Sequence, residues 1–589
     1  MLSSRADKVQ PRLVGLSLRS LLQDQVRMGP PCLLIYIARS IDASTCELKS
    51  VHVALVCRDK LWSASAKLKG ACDDDVVAIC RAAAGIKTHV VLQGRPLCQF
   101  GTNKTTASWK CVDNSADIGT SKTMDPSSYS QLAAHVYQYV ARYGSVKVPD
   151  ARLALAPGQP RLTGAGWLDA IEVRNEPNGY WAGAEAFMTP VEQAALLSAC
   201  FDGHEGTVGI EPAVVGARQA DPSVLVSMGG LSGATQVALD NVAVMRLWFQ
   251  ANRKDRRFAA DVLNFHFYCN DDQTSKGASP EECDLEGVVK NLTRWRDLNE
   301  PSLQVWLSEF GYDTSPLSPN LAKAYGVFSA EDVQGMWLIR SYLYMAMARI
   351  DRAEMFMLAD SHDNGGQKFM TSGLTSAKTS NYEPKKSWYF VSTMLGLLRN
   401  TRFAGEVQPG SSGDARDHAA GGDGTAGDGA GVRIARFSRD GARASGGAAT
   451  VFAVWLGSKT GASRSVTIDV SGFTAAATRD AVLVELSGNS TNGAQSLLSI
   501  TAAGKVTVVA SEMPAFVLLG EGLAPQQPSG PVPPVDPPVA AACADLPIGL
   551  HCTGTGTYNG SFIIVSQLLG IVCQFASRLL CVISTCCSG

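Results

Sequence analysis

Between Cys283 and Cys543 the chain has no cysteine at all, although it carries 16 in its 589 residues. Ten precede residue 284 and six fall in the last 47, so most of the middle of the chain holds without sulfur staples. Cys269 and Cys283 flank a polar loop, and the residues alone leave open a disulfide in an oxidising compartment or two separate thiols. No Cys-x-x-Cys pair meets a matching histidine pair, so no zinc site is read and no metal is expected. Net charge is scarce too. Charged residues make up 18% and sum to −2, without the basic stripe that nucleic acid or an anionic membrane selects. A neutral partner fits better. No glycine-rich phosphate loop follows any strand-like run, which disfavours an open nucleotide-binding sheet. A signal peptide is not readable, because the apolar run Cys32 to Ala38 lies far in, behind arginine and proline.

What is present is the punctuation of a large globular chain. Its hydrophobic content is 46%, and its length suggests about two to four units. Residues 1–75 show weak periodicity and stay unassigned, either the first strands of a barrel or a misread segment. From residue 76 strands and helices alternate. Strand-like runs start at Ile86, Asp169, Ser223, Asp261, Leu303 and Ala353. Helical runs start at Pro126, Thr189, Val237, Leu285, Ser329 and Pro384. Thr189-Pro190-Val191-Glu192 is a capping box with proline at the first helical position. Such alternation implies parallel strands joined by right-handed crossovers. Six strands are readable, and two more from the obscure N-terminal part would close a (β/α)8 TIM barrel over 76–400.

After the barrel the period switches to two. Residues 401–522 read as a small all-β sandwich with a Gly/Asp-rich loop at 409–431. Residues 523–542 are a proline-rich linker, with seven prolines between Pro525 and Pro538. The Cys-containing tail, 543–589, is apolar, but Gln567, Gln574 and Arg578 read against a membrane span.

Two strands end in carboxylates. Ile171-Glu172-Val173-Arg174-Asn175-Glu176-Pro177 stops at a proline that cannot continue a ladder. Val305-Trp306-Leu307-Ser308-Glu309-Phe310-Gly311 turns at a glycine. In a barrel all strand C-termini open on one rim, and a pair of carboxyl groups there is what glycosidic-bond cleavage needs. Three residues before Glu309, Trp306 is expected on the opposite face of its strand. Asp202-Gly203-His204-Glu205 has metal-capable side chains but reads as a solvated helix exit.

Asn175-Glu176-Pro177 and Ser308-Glu309-Phe310-Gly311 resemble the two signatures of glycoside hydrolase clan A, and the trailing sandwich is similar to that of family 39 and its relatives. The likeness spans about 76–520. It implies Glu176 as the acid/base on strand four and Glu309 as the nucleophile ending strand seven. It implies Asn175 as a partner of the sugar 2-hydroxyl. His266-Phe267-Tyr268 matches the strand-six pattern in which an aromatic hydroxyl orients the nucleophile. Tyr180 and Trp181 are candidate sugar-stacking platforms. The strand-one arginine and strand-eight tryptophan of many members have no counterpart here. The expected activity is a retaining glycoside hydrolase without a cofactor, acting on an oligosaccharide or polysaccharide outside the cell or at the cell wall. Its expected pH optimum is mildly acidic and bell-shaped. The alternatives are a transglycosylase on the same site and a non-catalytic carbohydrate-binding or cell-wall protein.

Overall fold

The computed structural model describes residues 111–519 apart from 115–116, 155–160, 181–182, 184–185, 211–212, 272–275, 400, 410–430, 439–449 and 474–479, and also the strand segments 39–42, 47–53 and 87–92. All of these fall within one compact unit. The 409–431 loop (save its end residues), the proline-rich linker, the tail and Trp181 lie outside the described residues.

Eight strands close into a ring. They are β1 (Arg39–Asp42), β2 (Glu47–Val53), β3 (Lys87–Leu92), β4 (Leu168–Val173), β5 (Leu225–Met228), β6 (Val262–His266), β7 (Gln304–Glu309) and β8 (Arg352–Glu354). Each pairs with the next, and β8 pairs back onto β1. All six strand runs read from residue 86 onward are present, in the expected parallel order, and the N-terminal part supplies the two that were missing. It does so with a twist on the expected pattern. β1 runs antiparallel to both β2 and β8. The reason is chain length, because only residues 43–46 separate β1 from β2, and a parallel pair needs a crossover of about a dozen residues or more.

The helices that face the ring are α1 (Ser130–Tyr143), α2 (Pro190–Gly206), α3 (Gln236–Asn252), α4 (Leu285–Asn299), α5 (Ala330–Met347) and α6 (Lys386–Leu397). Thr189 and Glu192 form the capping box of α2, and Ser329 and Asp332 form that of α5. Each satisfies two orphan backbone donors reciprocally. At the end of α2 the residues Asp202 to Glu205 leave helical geometry. Asp202 there pairs with Arg253, His204 bonds Ser198, and Glu205 accepts the backbone of Lys254 and Asp255. This is a braced helix exit.

Beyond α6 come β9 (Arg402–Glu406), β10 (Val432–Ser438), β11 (Thr450–Leu456), β12 (Ser463–Asp469), β13 (Asp480–Ser487), β14 (Ser490–Ser499), β15 (Lys505–Ser511) and β16 (Ala515–Leu519). Six make one antiparallel sheet in the order β9-β10-β11-β16-β13-β14, and β12 pairs with β15. The sandwich core lies between them, where Val466, Ile468, Val506 and Val508 meet Phe452, Val454, Val517 and Leu519.

The two layers of the chain are locked by charge. Buried Arg340 of α5 donates to Glu281 and to the carbonyls of Ser458 and Glu512 (3.3 Å each). Arg433 of β10 forks Glu286 at 2.8 and 3.1 Å, and Lys459 pairs with Glu282. All three glutamates sit near Cys283, which is joined to Cys269 as a disulfide with Cα atoms 5.4 Å apart. Of the two sulfur states the sequence left open, this is the one the fold adopts.

Candidate active site

The turn after β4 is unusual for its residue types. Arg174 (φ 75°) and Glu176 (φ 43°) both take left-handed backbone, a conformation that costs an L-residue roughly 1–2 kcal/mol. Surrounding bonds hold it. Arg174 donates its backbone N–H to Leu92 and its guanidinium to Ala186, and the Glu176 N–H donates to the Gly230 carbonyl at 3.1 Å. Asn178 exchanges two hydrogen bonds of 2.9 Å with the Ser232 backbone, stitching the loops after β4 and β5 together.

These constraints bring Glu176 to β6 and β7. His266 Nδ1 lies 3.0 Å from Glu176 Oε1 and 3.5 Å from Glu309 Oε2. One ligand atom from each of the three residues lies within 4.8 Å of the other two. Tyr268 donates its hydroxyl to Glu309 Oε2 at 3.0 Å. The carboxyl side chains stay accessible, 25% exposed for Glu176 and 16% for Glu309, whereas His266 is at 2%. Among the described residues this trio is also the group whose ligand atoms lie close enough to share a metal ion.

Electrostatics fit that geometry. Burial works to lower the His266 pKa, but the Glu309 charge and the Glu176 hydrogen bond outweigh it and raise it to about 9. The imidazole is therefore a cation beside the Glu176 and Glu309 side chains at neutral pH. Burial, and then the Glu309 charge, push the Tyr268 phenol well up, so it remains a donor.

Beneath the trio the barrel interior is polar. His89 Nδ1 lies 3.1 Å from Glu354 and its Nε2 3.2 Å from Glu172. Glu172 also accepts from Asn264 Nδ2 and the Gly230 N–H, each at 2.8 Å. Arg352 covers the Trp306 ring at 3.9 Å, and His89 meets that ring edge-on at 5.1 Å. Contacts joining side chains of β3, β4, β6, β7 and β8 place Trp306 inside the ring, which corrects the outward facing expected for it. The cause is a β-bulge. Leu307 pairs with Phe265 and Glu309 with His266, so Ser308 is an extra residue. The inserted residue makes positions three apart share a face.

His89 behaves as His266 does. Burial would lower its pKa, yet Glu354 and Glu172 raise it to about 9. Both folded values lie above the ordinary 6.5. The stability they confer is thus full below about pH 6.5 and lost as pH climbs through about 9. The thermal unfolding midpoint is expected to fall across that window, and a His89→Gln chain should show a shallower fall. Parallel curves for the two chains would contradict this.

No protein-family model matches the chain, and no curated protein matches it. Similarity to solved structures is slight. A GH30 endoxylanase from Clostridium papyrosolvens is 14% identical over 75% of this chain and 81% of its own, with a TM-score of 0.41. A GH44 endoglucanase from Clostridium thermocellum is 10% identical over 75% and 84%, with a TM-score of 0.39. SrfJ from Salmonella typhimurium is 9% identical over 81% and 82%, with a TM-score of 0.43. At that distance they say nothing of the reaction of this chain, and the family 39 likeness rests on sequence motifs alone.

Of the residues singled out from sequence, Glu176, His266, Tyr268 and Glu309 converge, and Asn175 lies half-buried next to Glu176. Tyr180 stands 77% exposed on the loop after β4. Sequence reasoning missed His89, Glu172, Asn264 and Glu354, single polar residues in strands, and Phe369, whose ring lies 4.6 Å from that of Tyr268. A polar residue at an inward position of a β-rich run was the one signal available for the first four.

Proposed function

We propose that this chain is a retaining glycoside hydrolase. The observation that carries the reading is that one carboxyl oxygen of Glu176 and one of Glu309, from the ends of two different barrel strands, lie within 4.8 Å of each other beside a shared imidazole. Retaining enzymes hold theirs about 5–5.5 Å apart, and inverting ones about 6.5–9.5 Å, to admit a water.

In the first step a Glu309 oxygen bonds to the anomeric carbon as the glycosidic C–O bond breaks. The departing oxygen takes the bond pair and the proton of Glu176. In the second step the Glu176 carboxylate takes a proton from water, the water oxygen bonds to the anomeric carbon, and Glu309 leaves as a carboxylate. Negative charge therefore sits first on Glu309 and later on Glu176. The His266 cation, 3.5 Å from one and 3.0 Å from the other, offsets it in either place. Tyr268 orients the Glu309 carboxylate, and Asn175 is assigned to the sugar 2-hydroxyl. The disulfide supports action in an oxidising, extracellular setting, on an oligosaccharide or polysaccharide.

The stereochemistry of the product tests this. Proton NMR during hydrolysis of a 4-nitrophenyl glycoside should show the substrate anomer of the free sugar first. Initial appearance of the opposite anomer would remove the double-displacement reading.

A further inference from the structure

The loop following β8 brings to the site a side chain that none of the sequence motifs covers. We propose that Phe369 is the aromatic platform against which the sugar at the nucleophile rests the apolar C–H face of a pyranose ring, an assignment that builds on the glycosidase reading.

Three features point there. The first is position. The Phe369 ring lies 4.6 Å from the Tyr268 ring and 5.9 Å, edge to face, from Phe356. Tyr268 is the residue whose hydroxyl touches Glu309. A continuous aromatic surface therefore runs from the nucleophile to this loop, and all three rings stay half-buried. Aromatic residues placed only to fill a core are driven to full burial by their large apolar area.

The second is backbone. Phe369 has φ 72°, an outlier for so bulky a residue. Conformations of this kind persist where the surroundings over-determine them, and they cluster at ligand clamps.

The third is the mount that imposes this conformation. The fully buried carboxylate of Asp313 accepts the Phe369 N–H at 2.9 Å, the Thr371 N–H at 2.8 Å, the Thr371 hydroxyl at 3.1 Å and the Ser318 hydroxyl at 2.8 Å. Lys385 reinforces it, donating to the Thr371 carbonyl at 3.0 Å while paired with Asp360 at 3.2 Å. An aromatic ring held rigidly and left half-buried against the tyrosine that touches Glu309 suits a rigid, apolar, ring-shaped face, because little ordering entropy is lost on contact.

Kinetics of the full-length chain on 4-nitrophenyl pyranosides (β-D-glucoside and β-D-xyloside) decide the matter, alongside Glu309→Ala. Phe369→Ala should raise KM about tenfold or more while kcat stays within about threefold, the pattern of lost uniform binding. Phe369→Trp should restore KM to within about threefold, since a flat face is retained. Should Phe369→Ala not fold, Phe369→Leu keeps apolar volume without the flat face and must show the same rise in KM. An unchanged KM in Phe369→Ala or Phe369→Leu, or a loss of kcat that follows the unfolding midpoint and is not rescued by tryptophan, overturns the platform. If Glu309→Ala is inactive while the Phe369 variants keep the wild-type KM, only the platform fails. If Glu309→Ala turns over normally, or wild type cleaves neither pyranoside nor any glycan, the glycosidase reading fails and the platform with it.

Discussion

Glu309→Ala is expected to lower kcat by about 10⁴-fold or more, the scale of losing a covalent nucleophile. Its unfolding midpoint should move by only a few degrees. Glu309 ends β7 with a partly open side chain, so its removal leaves no sealed cavity, and His266 keeps Glu176 as a partner at 3.0 Å. Sodium azide sharpens the test. A small anion entering the vacated volume attacks the face that Glu309 used, once only, so the glycosyl azide should have the anomeric configuration opposite to that of the substrate. In Glu176→Ala the nucleophile is intact, azide acts in the second step, and the glycosyl azide should keep the original configuration. Near-normal turnover by Glu309→Ala, or the same azide anomer from both variants, would end the assignment of roles.

Gly230→Ala should be the most damaging single methyl in the barrel. A Cβ there would lie 2.1 Å from His266 Nε2 and 2.5 Å from its Cδ2. Neither side can give way. The Gly230 N–H is held by Glu172 and its carbonyl by the Glu176 N–H, and the opposite imidazole nitrogen is held by Glu176. The imidazole must swing away and take its cation from between the carboxylates. A misplacement of about 1 Å costs roughly 10²-fold in kcat, and overpacking of this kind destabilises by about 1–3 kcal/mol. Gly396→Ala is the control. It lies inside α6 with nothing within 4 Å of its would-be Cβ, and should keep full activity and gain about 0.5–1 kcal/mol. Equal kinetics in the two variants would show that the imidazole is not a working part of the site.

Much of this site is legible in the sequence. The runs ending in Glu176 and Glu309 are strand-like, end at proline or glycine, and recur with helices between them. That suffices for parallel strands opening on a common rim. What resisted reading did so for physical reasons. Arg39–Asp42 is four residues long and carries two charges, so no period is visible in it. Ser490–Ser499 contains glycine, asparagine and serine and pairs through its backbone as an edge strand of the sandwich, which looks like a turn in composition. The extra residue at Ser308 changes the facing of Trp306, and nothing in Leu-Ser-Glu announces a bulge. His89, Glu172, Asn264 and Glu354 lie on β3, β4, β6 and β8. Each looks like a stray polar residue until ring closure sets them side by side.

The glutamates that tie the barrel to the sandwich bear on how the protein can be shortened. Glu281 and Glu282 lie within the segment that follows Tyr268 and is pinched shut by Cys269 and Cys283, and Glu286 lies just beyond it at the start of α4. Two of their counter-ions, Lys459 and Arg433, belong to the β-domain. A barrel expressed alone would leave Glu282 and Glu286 without those cations, and Arg340 of α5 without its Ser458 and Glu512 acceptors, around the segment that follows Tyr268. The C-terminal domain is thus a buttress of the face that carries Tyr268, and the smallest fragment of this chain expected to keep that face in place extends through Leu519.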